Sequence, residues 1–222
     1  MGRANVEDYR VFSRSGPSLH RDWVAAFFAV LDKAWVFKEL IVPKKPLILD
    51  PAEIDTNRVI ADIEEIRKYN PQRYEMEQLT AICYEDRERA ICAGYKDLTP
   101  DEFWVRGHFP GMPLMPGVIM CEAAAQLASY YTIKYKLMKA PIVGFGGLQD
   151  VRFRGVVRPG DRFLIVARLL KVRSTMLTCE FQCFVRQNLV CEGVILGIPL
   201  SPETIEADRE GVPEPSGPGT GD

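Results

Sequence analysis

The 222-residue chain carries only two histidines, His20 and His108. That scarcity leaves little from which to build a zinc site of the Cys/His kind. None of the six cysteines (Cys83, Cys92, Cys121, Cys179, Cys183 and Cys191) falls in a C-x-x-C pair, so the usual metal and thiol-redox spacings are missing. No apolar run reaches the ~18 residues that a membrane-spanning helix needs. Formal charge is nearly balanced at −2, which argues against nucleic acid as a partner. A convincing signal peptide is also lacking. Arg3 and Arg10 are accompanied by Glu7 and Asp8, and the apolar stretch from Trp23 to Phe37 is interrupted by Asp32 and Lys33. The cysteines lie mostly in apolar or alternating runs. They are expected as buried thiols in a reducing, cytoplasmic compartment.

Hydrophobic residues at 47% and charged residues at 26% describe an ordinary globular chain with material for a core. Three parts are expected. Residues 1–50 form an extension in which Trp23, Phe27, Phe28, Val30, Leu31, Trp35 and Phe37 suggest an amphipathic helix. It is read as packing on the main domain or on a partner subunit. A membrane-surface helix is a second reading, opposed by the lack of a basic cluster on its polar face. A translation start placed too early is a third. Residues 204–222 are expected to be a disordered tail rich in proline and glycine. The domain is residues 51–203.

Within the domain, Asp62 to Tyr69 reads as a short helix halted at Asn70-Pro71. Leu79 to Tyr84 and Ala90 to Tyr95 read as strands around a charged turn. Arg162 to Val172, Met176 to Arg186 and Leu189 to Ile198 read as a meander of long strands. In the middle one, Leu177, Cys179, Phe181, Cys183 and Val185 share one face. Gly117 to Tyr135 reads as the main helix, with Pro116 as its first helical residue. Its first turns are apolar almost all round, which predicts burial rather than a surface position. One central helix among many strands points to an α+β fold, with a curved sheet wrapped around that helix.

Glu122 interrupts this apolar helix. A buried carboxylate costs several kcal/mol unless paired, hydrogen-bonded or protonated. Gln126, one turn on, is placed to hydrogen-bond it. Burial would prepare such a group as a general acid; a glutamate on a thin polar stripe is the plainer alternative. His108 precedes Glu122 by fourteen residues, in the stretch Gly107 to Gly117. Three prolines and three glycines make that stretch a shaped loop. An isolated histidine is often purely structural, but an imidazole and a carboxyl at one pocket supply a base and an acid near neutral pH. The N–H groups of Gly117 and Val118, at the helix start, lack intrahelical acceptors and are suited to polarise a carbonyl oxygen. Gly117 would let a substrate approach the backbone. This set suits proton abstraction beside a carbonyl and loss of a β-hydroxyl.

Gly107-His108-Phe109-Pro110-Gly111 through Met115-Pro116-Gly117-Val118, then Glu122-Ala123 and Gln126, closely resembles the β-hydroxyacyl-(acyl carrier protein) dehydratases of fatty-acid synthesis. Val151-Arg152-Phe153-Arg154, Val157 and Pro159-Gly160-Asp161 match the same pattern, and the resemblance covers about residues 60–198. It implies a hotdog fold, with His108 and Glu122 as the catalytic pair. Glutamate rather than aspartate implies the branch that acts on chains of varied length. It also implies a homodimer, or a trimer of dimers, in which His108 of one chain meets Glu122 of the other. The acyl chain would lie in an apolar tunnel contacted by Gly117, Val118, Gln126, Tyr74 and Phe109, with neither a metal nor an organic cofactor.

One departure stands out. Where the family carries His-Arg-Tyr-Pro-Phe, this chain has Gln72-Arg73-Tyr74-Glu75-Met76. Tyr74, the tunnel gate that the resemblance implies, is retained, while the tunnel shape is put in question. An acidic acyl carrier protein would dock on basic residues. Arg152, Arg154 and Arg158 are the candidates, with Lys171 and Arg173 beside them. The expected activity is dehydration of (3R)-hydroxyacyl thioesters to trans-2-enoyl thioesters. A hotdog thioesterase and a non-catalytic acyl-carrier-binding subunit are the alternatives.

Overall fold

The computed structural model describes residues 46–201 and Glu206. The expected N-terminal amphipathic helix and most of the expected disordered tail lie outside these residues. The elements are a 3₁₀ turn Pro51–Glu53, helix α1 (Ile63–Ile66), a 3₁₀ turn Tyr74–Met76, strands β1 (Ala81–Asp86) and β2 (Ile91–Asp97), helix α2 (Gly117–Lys134), and strands β3 (Ile142–Phe153), β4 (Arg162–Val172), β5 (Leu177–Val185) and β6 (Asn188–Leu200).

Among the described residues the strands form one antiparallel sheet in the order β1-β2-β4-β5-β6-β3. The register follows the side-chain alternation. Phe163, Ile165 and Ala167 of β4 and Cys179, Phe181 and Cys183 of β5 point inward onto α2, where they pack with Ala124, Leu127 and Ala128. Small residues bring α2 close to the sheet: a Cβ on Gly94 would lie 3.3 Å from Leu127 Cδ1 and 2.8 Å from the Ala81 carbonyl oxygen. From Met120 to Thr132 every residue of α2 except Glu122 and Ala125 is buried, which accounts for its near-continuous apolar run.

The opposite face of the sheet is covered too. The alternate residues Ala81, Cys83, Ala93, Tyr95, Leu164, Val166 and Phe184 form a second cluster with Ile48, Leu49 and Ile54. The segment 47–54 thus runs across the back of the sheet as a strap, straddling the expected domain start at residue 51. The Ile48 N–H donates to Gln182 Oε1 at 2.8 Å, so Gln182, on the polar face of β5, is buried.

Three features differ from expectation. Strand β3 has no counterpart in the sequence reading. Gly144, Gly146 and Gly147 dilute its pattern, and register shifts at Phe145/Gly147 and Gln149/Arg152 break its alternation. Pro116 is the residue before α2 rather than its first member: its ψ of 137° is extended, while its carbonyl accepts from the Ile119 and Met120 N–H groups. The short helix α1 stops at Ile66, three residues before Tyr69.

Candidate active site

His108 sits in a loop held from several directions. Its N–H donates to the Trp104 carbonyl at 2.8 Å, its carbonyl accepts from Leu114 N–H at 2.8 Å, and Phe109 and Met112 exchange a pair of backbone bonds. The loop is tied to the β3–β4 connection by Met115 N–H donating to the Val157 carbonyl. The imidazole stacks on the Phe109 ring, with centroids 4.2 Å apart. Its Nδ1 lies 2.8 Å from the Leu114 carbonyl oxygen. A carbonyl only accepts, so Nδ1 carries the hydrogen, and in the neutral ring Nε2 is then the nitrogen with the lone pair. That is the tautomer a general base requires.

Glu122 is half-buried on the second turn of α2. Gln126 Nε2 donates to its Oε1 at 2.8 Å and to the Met76 carbonyl at 2.7 Å, while Gln126 Oε1 accepts from Gln78 N–H at 2.9 Å. These partners fix which end of the carboxamide is oxygen. Gln126 must therefore donate to Glu122. Glu122 Oε2 makes no hydrogen bond among the described residues. Glu122 lines a cleft with Gln72, Ala125, Ser129 and, from the edge strand β3, Val143, Gly144 and Phe145.

His108 is not in the lining of that cleft and shares no hydrogen bond with Glu122. Within one chain, then, neither a common cleft nor a hydrogen bond joins these two side chains among the described residues. Gly117, expected as an opening for substrate, is packed by Phe153, whose Cζ would be 2.6 Å from an added Cβ. The amides of Gly117 and Val118 donate no hydrogen bond among the described residues. Val118 is 72% exposed, and Phe109 and Phe153 are half exposed. Tyr74 is 86% exposed, on a turn tethered to Gln126 through Met76.

The basic candidates divide. Arg152 and Arg158 are exposed without ion pairs among the described residues. Arg154 is taken up by Glu192, its Nε donating to Oε1 at 2.8 Å. Lys171 and Arg173 lie at the far end of the eleven-residue strand β4 from Arg158, a strand length of ~30 Å away. The thiols are all buried. Desolvation pushes Cys83 up to about 11 and Cys179 to about 12, so both stay uncharged and poorly nucleophilic near neutral pH. No group of three or more His, Cys, Asp or Glu side chains among the described residues is gathered as a metal ion requires.

Residues 70–194 match the FabA-like domain model, a span that includes the His108 loop, α2 and the whole meander up to β6. The chain belongs to the FabA-like family. The 3-hydroxyacyl-(acyl-carrier-protein) dehydratase FabZ of Caldicellulosiruptor saccharolyticus is 35% identical over 135 residues, covering 61% of this chain and 96% of that protein. The enzyme of the same name from Syntrophobacter fumaroxidans is 36% identical over 137 residues, covering 61% and 91%. Among solved structures, the dehydratase heterocomplex ApeI:P from Xenorhabdus doucetiae aligns with a TM-score of 0.55 at 13% identity, over 65% of this chain and 96% of that one. This last likeness bears on the fold, which is the hotdog arrangement. The strap at 47–54 lies outside the matched family span.

Proposed function

We propose that the protein removes water from (3R)-hydroxyacyl thioesters carried on acyl carrier protein, giving trans-2-enoyl thioesters for fatty-acid synthesis in the cytoplasm. Two hydrogen bonds carry the reading: Leu114 sets His108 as a base, and Gln126 sets the orientation of Glu122. The thioester carbonyl binds at the free amides of Gly117 and Val118, where developing negative charge on the oxygen is stabilised. The C2–H bond breaks and its proton passes to His108 Nε2. The C3–O bond breaks as Glu122 Oε2 gives its proton to the departing hydroxyl. The products are the enoyl thioester and one water, and proton return from His108 to Glu122 through solvent restores the enzyme.

His108 and Glu122 come together across a homodimer formed along the β3 edge. The geometry of one chain supports this. β3 is an edge strand, and Phe145, Leu148 and Phe153 on it stay roughly half exposed, the kind of edge that soluble proteins cover. The Glu122 cleft is walled by the same strand. Arg152 and Arg158 dock the acidic carrier, Arg154 serving instead to hold Glu192.

The test is turnover of 3-hydroxyacyl thioesters on the carrier. His108→Ala and Glu122→Gln are each expected to lower kcat by ~10²–10⁴-fold while folding is retained. Mixing the two variants should restore part of the activity, because a mixed dimer regains one complete site. Unchanged rates in both single variants would overturn the assignment; free thiol release in place of enoyl product would identify a thioesterase.

A further inference from the structure

Behind the Glu122–Gln126 pair lies a second, narrow cleft, walled by Asn70, Gln72 and Gln126, with Arg67 and Glu77 beside them and the aliphatic Ile63, Ile66 and Leu79 opposite. Arg67 and Glu77 are joined by two hydrogen bonds, Nε to Oε1 at 2.6 Å and a terminal guanidinium nitrogen to Oε2 at 2.8 Å. Asn70 is 4% exposed. Its Nδ2 donates to the Gln126 carbonyl at 2.9 Å, which fixes the carboxamide and leaves Oδ1 buried without a donor. Gln72 Oε1 is likewise buried without a donor. So is Gln78 Oε1, on the residue whose N–H holds Gln126 and whose Nε2 is committed to the Glu75 carbonyl. Of these three acceptor oxygens without donors, those of Asn70 and Gln72 belong to residues that line the cleft. Each costs ~1–3 kcal/mol unless a donor reaches it, and a guest that satisfies them must be small and donate hydrogen bonds.

Gln72 lines this cleft and also the one that holds Glu122. It forms the wall between them. We propose that this second cleft binds water, and that Gln72 passes water between it and the Glu122 site, making this cleft the outlet for the water eliminated in each turnover. The inference rests on the dehydratase reading given above. The Glu122 cleft has apolar walls from Ala125, Val143, Phe145 and Leu177, and a bound acyl chain covers that side. On the other side of Gln72, the Asn70 and Gln72 carboxamide oxygens are acceptors that water can satisfy. Gln72 stands where the family carries histidine, so the wall of the outlet is a point at which this chain differs.

The test uses the full-length protein and a 3-hydroxyacyl thioester labelled with ¹⁸O at the C3 hydroxyl, in deuterated water. Substrate recovered at partial conversion is read by mass spectrometry for ¹⁸O loss at C3 and deuterium gain at C2. Deuterium gain requires only that C2 lose and regain a proton, whereas ¹⁸O loss requires C3–O cleavage and departure of the labelled water from the site before water adds back. Gln72→Leu is expected to lower the ratio of ¹⁸O loss to deuterium gain several-fold, and Gln72→His to keep it near the wild-type ratio. Ile63→Phe, which fills the cleft from its apolar wall, is expected to act like Gln72→Leu and serves if that variant fails to fold. A wild-type ratio in a folded variant of either filling type would overturn the proposal. A second readout does not depend on turnover: a high-resolution crystal structure should show ordered water on Asn70 Oδ1 and Gln72 Oε1. A cleft closed to water there would overturn the proposal even in an active enzyme. Absence of dehydration by the wild type would instead refute the dehydratase reading.

Discussion

Replacing Gln126 by leucine removes one side chain and three hydrogen bonds while nearly keeping its shape. The residue is 2% exposed, and Gln78, whose N–H it accepts, is fully buried. That N–H then has no acceptor, at a cost of ~1–3 kcal/mol. The Met76 carbonyl costs less, because Met76 is 43% exposed and water can replace the lost donor. Loss of the bond to half-buried Glu122 adds little to stability for the same reason. The total, ~2–3 kcal/mol, is a sizeable part of the ~5–15 kcal/mol that holds a domain together. With a urea slope of ~2–3 kcal/mol/M, the unfolding midpoint should fall by about 1 M, read at one fixed protein concentration because assembly contributes to stability. The kinetic consequence is separate. Glu122 Oε1 loses its anchor, so Oε2 is no longer aimed, and kcat should drop by ~10-fold or more with KM little changed, a part of the general-acid contribution. A midpoint within ~0.2 M of wild type, together with an unchanged kcat, would refute the view that Gln126 holds the acid in place.

Two further perturbations probe other parts of the molecule. Gly94→Ala places a Cβ 2.8 Å from the Ala81 carbonyl and 3.0 Å from Ile82 Cδ1. Backbone cannot yield there, so overpacking of ~1–3 kcal/mol is expected, seen in thermal unfolding as a Tm lower by roughly 2–10 °C; an unchanged or higher Tm would show that β1 and β2 can part. Glu77 tests the Arg67 pairing through pH. Hydrogen bonding from the Arg67 guanidinium holds the Glu77 carboxyl below the usual carboxylate range. Its folded value is thus depressed, and the stability it contributes is present above about pH 4 and lost as pH falls further, through the folded value. Wild type should exceed Glu77→Gln in urea midpoint at pH 7, with the gap closing in acid; a pH-independent gap would exclude this ion pair as its source.

Much of this architecture was legible in the residues, for reasons that differ by element. Strands β4, β5 and β6 were visible because the helix packs on one face and alternation survives in Leu177, Cys179, Phe181 and Cys183. Helix α2 was visible because most of it is buried between Met120 and Thr132, and its one carboxyl drew notice for that reason. Strand β3 was not, since an edge strand interrupted by glycines and two register shifts carries no clean period. The strap was missed because Ile48, Leu49 and Ile54 are too short a signal to announce a second layer. His108 and Glu122 could be named from the sequence, but the committed carboxamides of Asn70, Gln78 and Gln126 could not, because their roles depend on contacts across 48 and 56 residues of chain. The split among the basic candidates is also a matter of topology: nothing in the sequence near Arg154 shows that Glu192 lies beside it.

The strap has a practical consequence for anyone who trims this protein. Cutting at the borders of the matched family segment, residue 70, would strip Ile48, Leu49 and Ile54 from the apolar bed formed by Val166, Tyr95 and Phe184. The bared surface would be broad and greasy, and self-association through it is the foreseeable result. Expression borders set at Leu47 or earlier keep that layer in place.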